Sequence, residues 1–314
     1  MKSTSHKQDR KSSRAAERTV TRIAKRSLLE LSQRFGQLLT DLANTHIEPV
    51  ETTHQLRVTS RRADVALQLF REWLPRDRRQ WMRRVLKFVR ADAGAVRDLD
   101  LLEQQWRLAD GAMAAQVPPD AATWMHKRIQ TQRAQARHRL FHWTRKSAAS
   151  RFRKRSQRLV RRVRPRHSGS PHVWISQSLV KLVGGLKDSL PMVSTSLANS
   201  HRARIHARRL RYAIELLSQV LPAETVSVAA TLAQIQEQLG LVNDDATANR
   251  HLRASIEACG HPKLVPQLQS LLDRSEAAAT ARLEKWNADM SEQIAVLAEL
   301  LARLASKPGQ LLIK

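Results

Sequence analysis

The stretch His54-Gln55-Leu56-Arg57-Val58-Thr59-Ser60-Arg61-Arg62 places a histidine ahead of arginines at i+3, i+7 and i+8. The spacing returns at His201-Arg202-Ala203-Arg204-Ile205-His206-Ala207-Arg208-Arg209, with Arg211 just beyond. On a helix, at about 100° per residue, positions i, i+3 and i+7 fall within a narrow arc. His54, Arg57 and Arg61 therefore share one face, and so do His201, Arg204, Arg208 and Arg211. A guanidinium donates in a planar fork that grips phosphate oxygens bidentately. Each such charge-assisted bond contributes about 1.5–3 kcal/mol. A histidine heading such a stripe is driven neutral by its cationic neighbours and becomes imidazolium when an anion arrives. The chemistry these residues suit is the binding of a phosphate-rich polyanion, with His54 and His201 in direct phosphate contact.

Further stripes repeat the theme. Arg83, Lys87 and Arg90 align, with Arg97 following; His126, Arg133 and Arg137 align further on; Arg151, Arg155, Arg158 and Arg162 form a fourth row. One charged stripe is ordinarily a solvated face. Several of one sign, with few acids at helix spacing to pair them, are destabilising by a few tenths of a kcal/mol per like-charged i,i+4 pair. A bound polyanion explains that cost. Asp98 follows Gly94 by four residues, as Asp244 follows Gly240. These aspartates suit a helix cap or an ion pair that orients a stripe arginine better than a metal site. Glu215, near Tyr212, is a further orienting acid.

The whole composition agrees. In 314 residues, Lys plus Arg number 55 against 28 Asp plus Glu, a net charge of +27. Such an excess points to nucleic acid, an acidic membrane surface or another phosphate polymer as partner. At 42% hydrophobic residues the chain can still bury one or two cores. Cys259 stands alone, so no intrachain disulfide forms, which fits a reducing, cytoplasmic setting. No apolar run is long enough to span a membrane. Met1 to Arg14 is polar and basic without an apolar core, unlike a secretory signal. Residues 1–16 are expected as a disordered basic tail and 306–314 as a C-terminal tail.

The elements that must carry these residues read as helices throughout. The pattern predicts helices over 17–44, from Glu51 to Trp73, over Pro75–Ala93 ended by Gly94, and over Asp98–Asp110. After the Val117–Asp120 loop, helix continues from Ala121 to Val163, with a kink near Ser147–Ser150. Pro165-Arg166-His167-Ser168-Gly169-Ser170-Pro171 has linker composition. Beyond it, helices are expected over Val173–Leu190, Leu197–Leu221, Pro222–Gly240, Asn243–Ala258 and Leu264–Ala305, with Pro266 a candidate interruption. Gly94 follows His54 at nearly the spacing at which Gly240 follows His201. The chain therefore reads as a tandem duplication of one α-helical unit, 17–164 and 172–305, joined by 165–171.

These residues resemble the CHAD family, the conserved histidine α-helical domain. The first copy matches through His54, Arg57, Arg61, Arg62, Leu86-Lys87, Gly94 and Arg97-Asp98-Leu99-Asp100. The second matches through His201, Arg204, Arg208, Arg209, Arg211-Tyr212, Gln236, Leu239-Gly240 and Asn243-Asp244, and Ser150-Arg151-Phe152 looks like the family's basic helix. The resemblance implies an all-α fold: two helical bundles related by internal pseudo-two-fold duplication, with a basic central groove or pore. It implies binding of inorganic polyphosphate and residence at polyphosphate granules. No CYTH-type Glu-x-Glu-x-Lys signature is present, so the chain resembles a stand-alone member. Ala233 stands where the first copy has Lys87, and 151–166 has no equally basic counterpart, so the phosphate path is expected to weigh towards the first half.

The expected polyphosphate-binding set is His54, Arg57, Arg61, Arg62, Arg83, Lys87, Arg90, Arg97, Arg133, Arg137, Arg151, Arg155, Arg158, His201, Arg204, Arg208, Arg209 and Arg211. Asp98, Asp244, Tyr212 and Glu215 are expected to orient them. A basic helical nucleic-acid binder is the alternative, though helix-turn-helix, zinc and RNP signatures are missing and weak binding alone is expected. A phosphoanhydride-processing enzyme is disfavoured: the sequence has no Walker loop, clustered metal carboxylates or zincin-type histidine pair. No catalytic residue, metal or cofactor is expected.

Overall fold

A computed structural model describes residues 2–44, 50–107, 113–165, 171–193 and 196–306. Among them are nine α-helices and no strand: α1 (Lys2–Asn44), α2 (Val50–Leu69), α3 (Arg76–Arg107), α4 (Pro119–Thr144), α5 (Lys146–Val160), α6 (Pro171–Ser189), α7 (Leu197–Leu217), α8 (Ala223–Glu257) and α9 (Val265–Ser306). Short 3-10 turns follow α2 at Arg71–Trp73 and α3 at Met113–Gln116.

The first five helices pack on one another: α1 against α2, α4 and α5, and α3 against α2, α4 and α5. The last four form a second set, α6 on α7, α7 on α8, α8 on α9 and α9 back on α6. The sets meet where α2 lies on α7, α3 on α8, and α1 on α6 and α7. One continuous apolar core runs through both, from Leu28 and Phe35 through Leu56, Leu86 and Trp106 to Leu210, Leu239 and Leu268. Aromatic contacts pin the joints. Phe35 meets Phe152 at 4.8 Å between ring centroids, tying α5 to α1, and Trp174 of α6 meets Trp73 edge-on at 4.7 Å.

Local chemistry sets the ends of the motif helices. Ser196 is the N-cap of α7, its hydroxyl accepting from the Asn199 N–H at 3.2 Å. Pro75 and Pro222 stand immediately ahead of α3 and α8, where their missing N–H groups are not needed. Pro266, a candidate interruption, sits in the first turn of α9 and breaks nothing.

Several expected boundaries are corrected. α3 and α8 are single helices of 32 and 35 residues that run through Gly94 and Gly240, not pairs broken there. A mid-helix glycine costs about 1 kcal/mol relative to alanine, too little to end a helix whose apolar face is packed on both sides. Asp98 and Asp244 are therefore mid-helix residues and cap nothing. α1 begins at Lys2, so residues 2–16, expected as a tail, are helical; they hold no Gly or Pro and several good helix formers. The kink expected near Ser147 is a break at Arg145 between α4 and α5. Most of the 165–171 linker, the end of the Asp98–Asp110 helix and residues 307–314 lie outside the described residues.

Candidate functional site: an arginine cluster where α2 crosses α7

The two motif helices pack directly on each other, and their partners α3 and α8 do the same. This brings Arg57 and Arg61 of α2 together with Arg204 and Arg208 of α7, and Arg90 of α3 beside Arg208. None of these guanidiniums is well exposed. Burial, then repulsion from Arg208, Arg57 and Arg204, pushes Arg61 down to about 8. Burial, then Arg204, pushes Arg208 down to about 10, with Arg90 and Arg209 adding to it. Arg90 and Arg204 are lowered too, chiefly by burial. A guanidinium keeps its proton in a protein. The depressed values therefore measure unrelieved repulsion and desolvation that an incoming anion would reverse.

Acids hold the cluster's edges without neutralising it. Arg57 Nη1 donates to Asp98 Oδ1 at 3.0 Å, while the buried Arg57 Nε–H has no acceptor. Asp64 accepts from Arg83 Nε at 2.8 Å and lies 4.0 Å from Arg90, which also donates to the Ser60 carbonyl at 3.3 Å. Arg204 Nε donates to the Gln236 carbonyl at 3.4 Å and is offset electrostatically by Asp244. A Cβ on Gly240 would lie 3.4 Å from Arg204 Nη2, in ordinary van der Waals contact, so the Arg204 guanidinium lies against α8 at this position. Burial raises the Asp244 carboxyl, with Arg204 and an Asn243 hydrogen bond opposing. Arg62 donates to Glu215 Oε2 at 2.9 Å, and Arg62 and Arg211 both stand over the Tyr212 ring, at 5.1 and 5.0 Å.

The two histidines differ in company. His54 is held below the usual imidazole range by burial first and by Arg97 second, with Arg57 and Arg61 adding and Glu51 opposing. His201 shares a hydrogen bond between Nδ1 and Asn243 Oδ1. Arg97 and Asn243 occupy matching places in the two motif sets. One histidine thus faces a cation where the other faces an amide.

The family model of the CHAD domain matches residues 30–253, which take in both motif helices and well over half the chain. The chain belongs to the CHAD domain family. Its fold is similar to that of the CHAD domain from the plant Ricinus communis, at 22% identity over 90% of this chain and 91% of that one, with a TM-score of 0.59. It is also similar to PptA from Streptomyces chartreusis, at 17% identity over 92% of this chain and 99% of that one, again with a TM-score of 0.59. No curated protein matches the chain. No strand and no CYTH-type domain accompany the CHAD helices among the described residues. Nor do three His, Cys, Asp or Glu side chains gather there to hold a metal ion.

The CHAD helices do not gather every residue of the expected set. Arg133 of α4 pairs with Asp100 of α3 at 2.5 Å; Asp100 is 4% exposed, so this is a packing ion pair between helices. Arg137 lies on the same helix, half-buried. Lys87 is exposed on α3. Arg151, Arg155 and Arg158 are exposed on α5, which packs mainly on α1, and Arg155 stands over Trp81 at 5.1 Å. Acids reach the stripes from other helices: Asp98 and Glu215, expected as orienting acids, pair with Arg57 and Arg62, and Asp64 and Asp100 pair with Arg83 and Arg133. Sequence reasoning missed Asp64 and His251. Asp64 lies at i+7 from Arg57 and i+3 from Arg61, so its spacing was a usable signal. His251, lowered by burial with Asp98 opposing, gave none.

Proposed function

We propose that the chain is a non-enzymatic inorganic polyphosphate-binding protein, with the α2–α7 arginine cluster as its central site. The observation that carries the reading is the group Arg57, Arg61, Arg90, Arg204 and Arg208, half-buried and mutually repelling. Burying like charges is unfavourable unless a ligand supplies the opposite sign. A polyanion with closely spaced, compact phosphates can thread such a cluster, whereas duplex DNA presents its phosphates on the outside of a wide helix. The membership in the CHAD family, whose resemblance implies polyphosphate binding, supports the same ligand. The contacts of α2 with α7 and of α3 with α8 support a pseudo-two-fold arrangement in which each motif helix faces its counterpart across a basic groove.

In this reading Arg61, Arg204 and Arg208 form the floor, and His54, Arg97, His201 and Arg209 the approaches. Asp98, Asp244 and Glu215 orient arginines, with Tyr212 as a platform for Arg62 and Arg211. The stripe on α5 extends the path for longer chains, and granule association follows from many such contacts on one polymer.

The test is binding of polyphosphate of graded length to the full chain across salt concentrations, in competition with duplex DNA and RNA. Saturable binding to long chains at moderate salt, resistant to excess nucleic acid, is expected. Its absence, or equal displacement by nucleic acid, overturns the reading. Incubation with polyphosphate and Mg²⁺ is expected to release no phosphate, and a fluorescent fusion is expected to coincide with polyphosphate granules.

A further inference from the structure

Beside the cluster, α2, α6, α7 and the turn after α2 enclose a separate cavity of about 340 Å³. That volume lies in the range of small-molecule sites. Its ionisable lining is of one kind, Arg71, Lys181, Arg209 and His206, with no carboxylate among the lining residues. Arg71 is steadied by a 2.7 Å bond from its Nε to Glu72. Charge alone would suit orthophosphate, but the rest of the wall would not. Trp174, Leu69 and Leu182 give it an apolar side, and Trp174 is 9% exposed. Gln177 and Ser178 add mixed donors and acceptors to the same wall.

The wall at His206 is built by an omission. A Cβ on Gly185 would fall 2.6 Å from His206 Nδ1, so the imidazole lies where only glycine admits it. α6 carries the Gly184-Gly185 pair mid-helix despite its low helix propensity. Arg209 is the one residue shared between this cavity and the proposed polyphosphate site.

We propose that this cavity binds a nucleoside monophosphate, its phosphate held by Lys181, Arg71 and Arg209 and its base seated against Trp174 with Gln177 and Ser178 reading the base edge. An anion with a flat, partly apolar body answers both halves of the lining, which neither orthophosphate nor an uncharged nucleoside does.

The experiment is titration of the full chain with adenosine monophosphate, followed by calorimetry and tryptophan fluorescence, beside adenosine and orthophosphate. Saturable binding is expected, with both fragments at least about tenfold weaker. Lys181→Ala, at an exposed position, is expected to weaken binding about tenfold through loss of a charge-assisted bond. Trp174→Phe is expected to remove the fluorescence response; should it disturb folding, Gln177→Ala takes its place in the calorimetry. Polyphosphate affinity in Lys181→Ala is expected to stay within about twofold, and nucleotide affinity in Arg61→Met likewise, which separates this site from the cluster. No saturation at millimolar nucleotide, indifference to Lys181→Ala, or orthophosphate binding as tightly as the nucleotide overturns the proposal. So does loss of nucleotide binding in Arg61→Met alone.

Discussion

Arg61 sits among Arg57, Arg204 and Arg208, and its charge is a burden on the empty protein. Arg61→Met keeps an unbranched apolar stem and removes the charge and its repulsion. Replacing a poorly compensated buried charge with an apolar group stabilises by on the order of 1 kcal/mol or more. The expected outcome is a higher thermal midpoint together with at least about a tenfold loss of polyphosphate affinity. A drop in both would mean that Arg61 is structural. The histidines give a second residue-scale prediction. His54, His206 and His251 are each held below the usual imidazole range, chiefly by burial. The unfolded chain therefore takes up protons first as pH falls through about 6.5. Stability present above that value is lost on acidification through the folded-state values. Asp244 and Asp245, raised by burial, act in the opposite sense when they protonate. Thermal midpoints measured from pH 7.5 to 5.5 should fall without polyphosphate, less so in His54→Ala. Affinity for polyphosphate should rise over the same range, because the anion favours imidazolium, and His54→Ala should flatten that rise.

At the level of the helices, the two mid-helix glycines separate two kinds of information. A Cβ on Gly94 would meet no atom within 4 Å, so Gly94→Ala is expected to stabilise by about 0.5–1 kcal/mol and leave binding unchanged. Gly240 faces the Arg204 guanidinium, so Gly240→Val is expected to push Arg204 off α8 and weaken polyphosphate binding several-fold. Paired denaturation and binding curves on the two variants check both. Helix content, the motif helices and the stripe faces were legible because 3.6-residue periodicity and proline positions are local signals. Gly94 and Gly240 misled because a glycine is read as punctuation, while the packing that carries α3 and α8 through it is tertiary. The Arg133–Asp100 pair was hidden for the same reason, its partners being adjacent only once α3 and α4 have packed, whereas Arg57–Asp98 is an ion pair of the kind expected of Asp98. The α2–α7 crossing itself has no signature in either helix.

For the molecule as a whole, a net charge of +27 is divided between a half-buried cluster and exposed helices. These two populations should answer differently to ligand length and to salt. The cluster at the α2–α7 crossing is compact, so a short polyphosphate satisfies it. α5 packs on α1 and α3 away from that crossing, so its exposed Arg151, Arg155 and Arg158 engage a chain long enough to extend beyond the cluster. Each phosphate–cation contact releases condensed counterions, so the slope of log affinity against log salt counts contacts. Substituting Arg151, Arg155 and Arg158 together with Gln should therefore lower affinity for long polyphosphate and make its salt slope shallower by up to about three. Tripolyphosphate binding should stay unchanged, since it lies within the cluster. Phe152 and Leu159, which anchor α5 to the core, are left in place, so the thermal midpoint should hold within a few degrees of the parent. Equal losses for short and long chains would place the α5 arginines inside the central site and collapse the two populations into one.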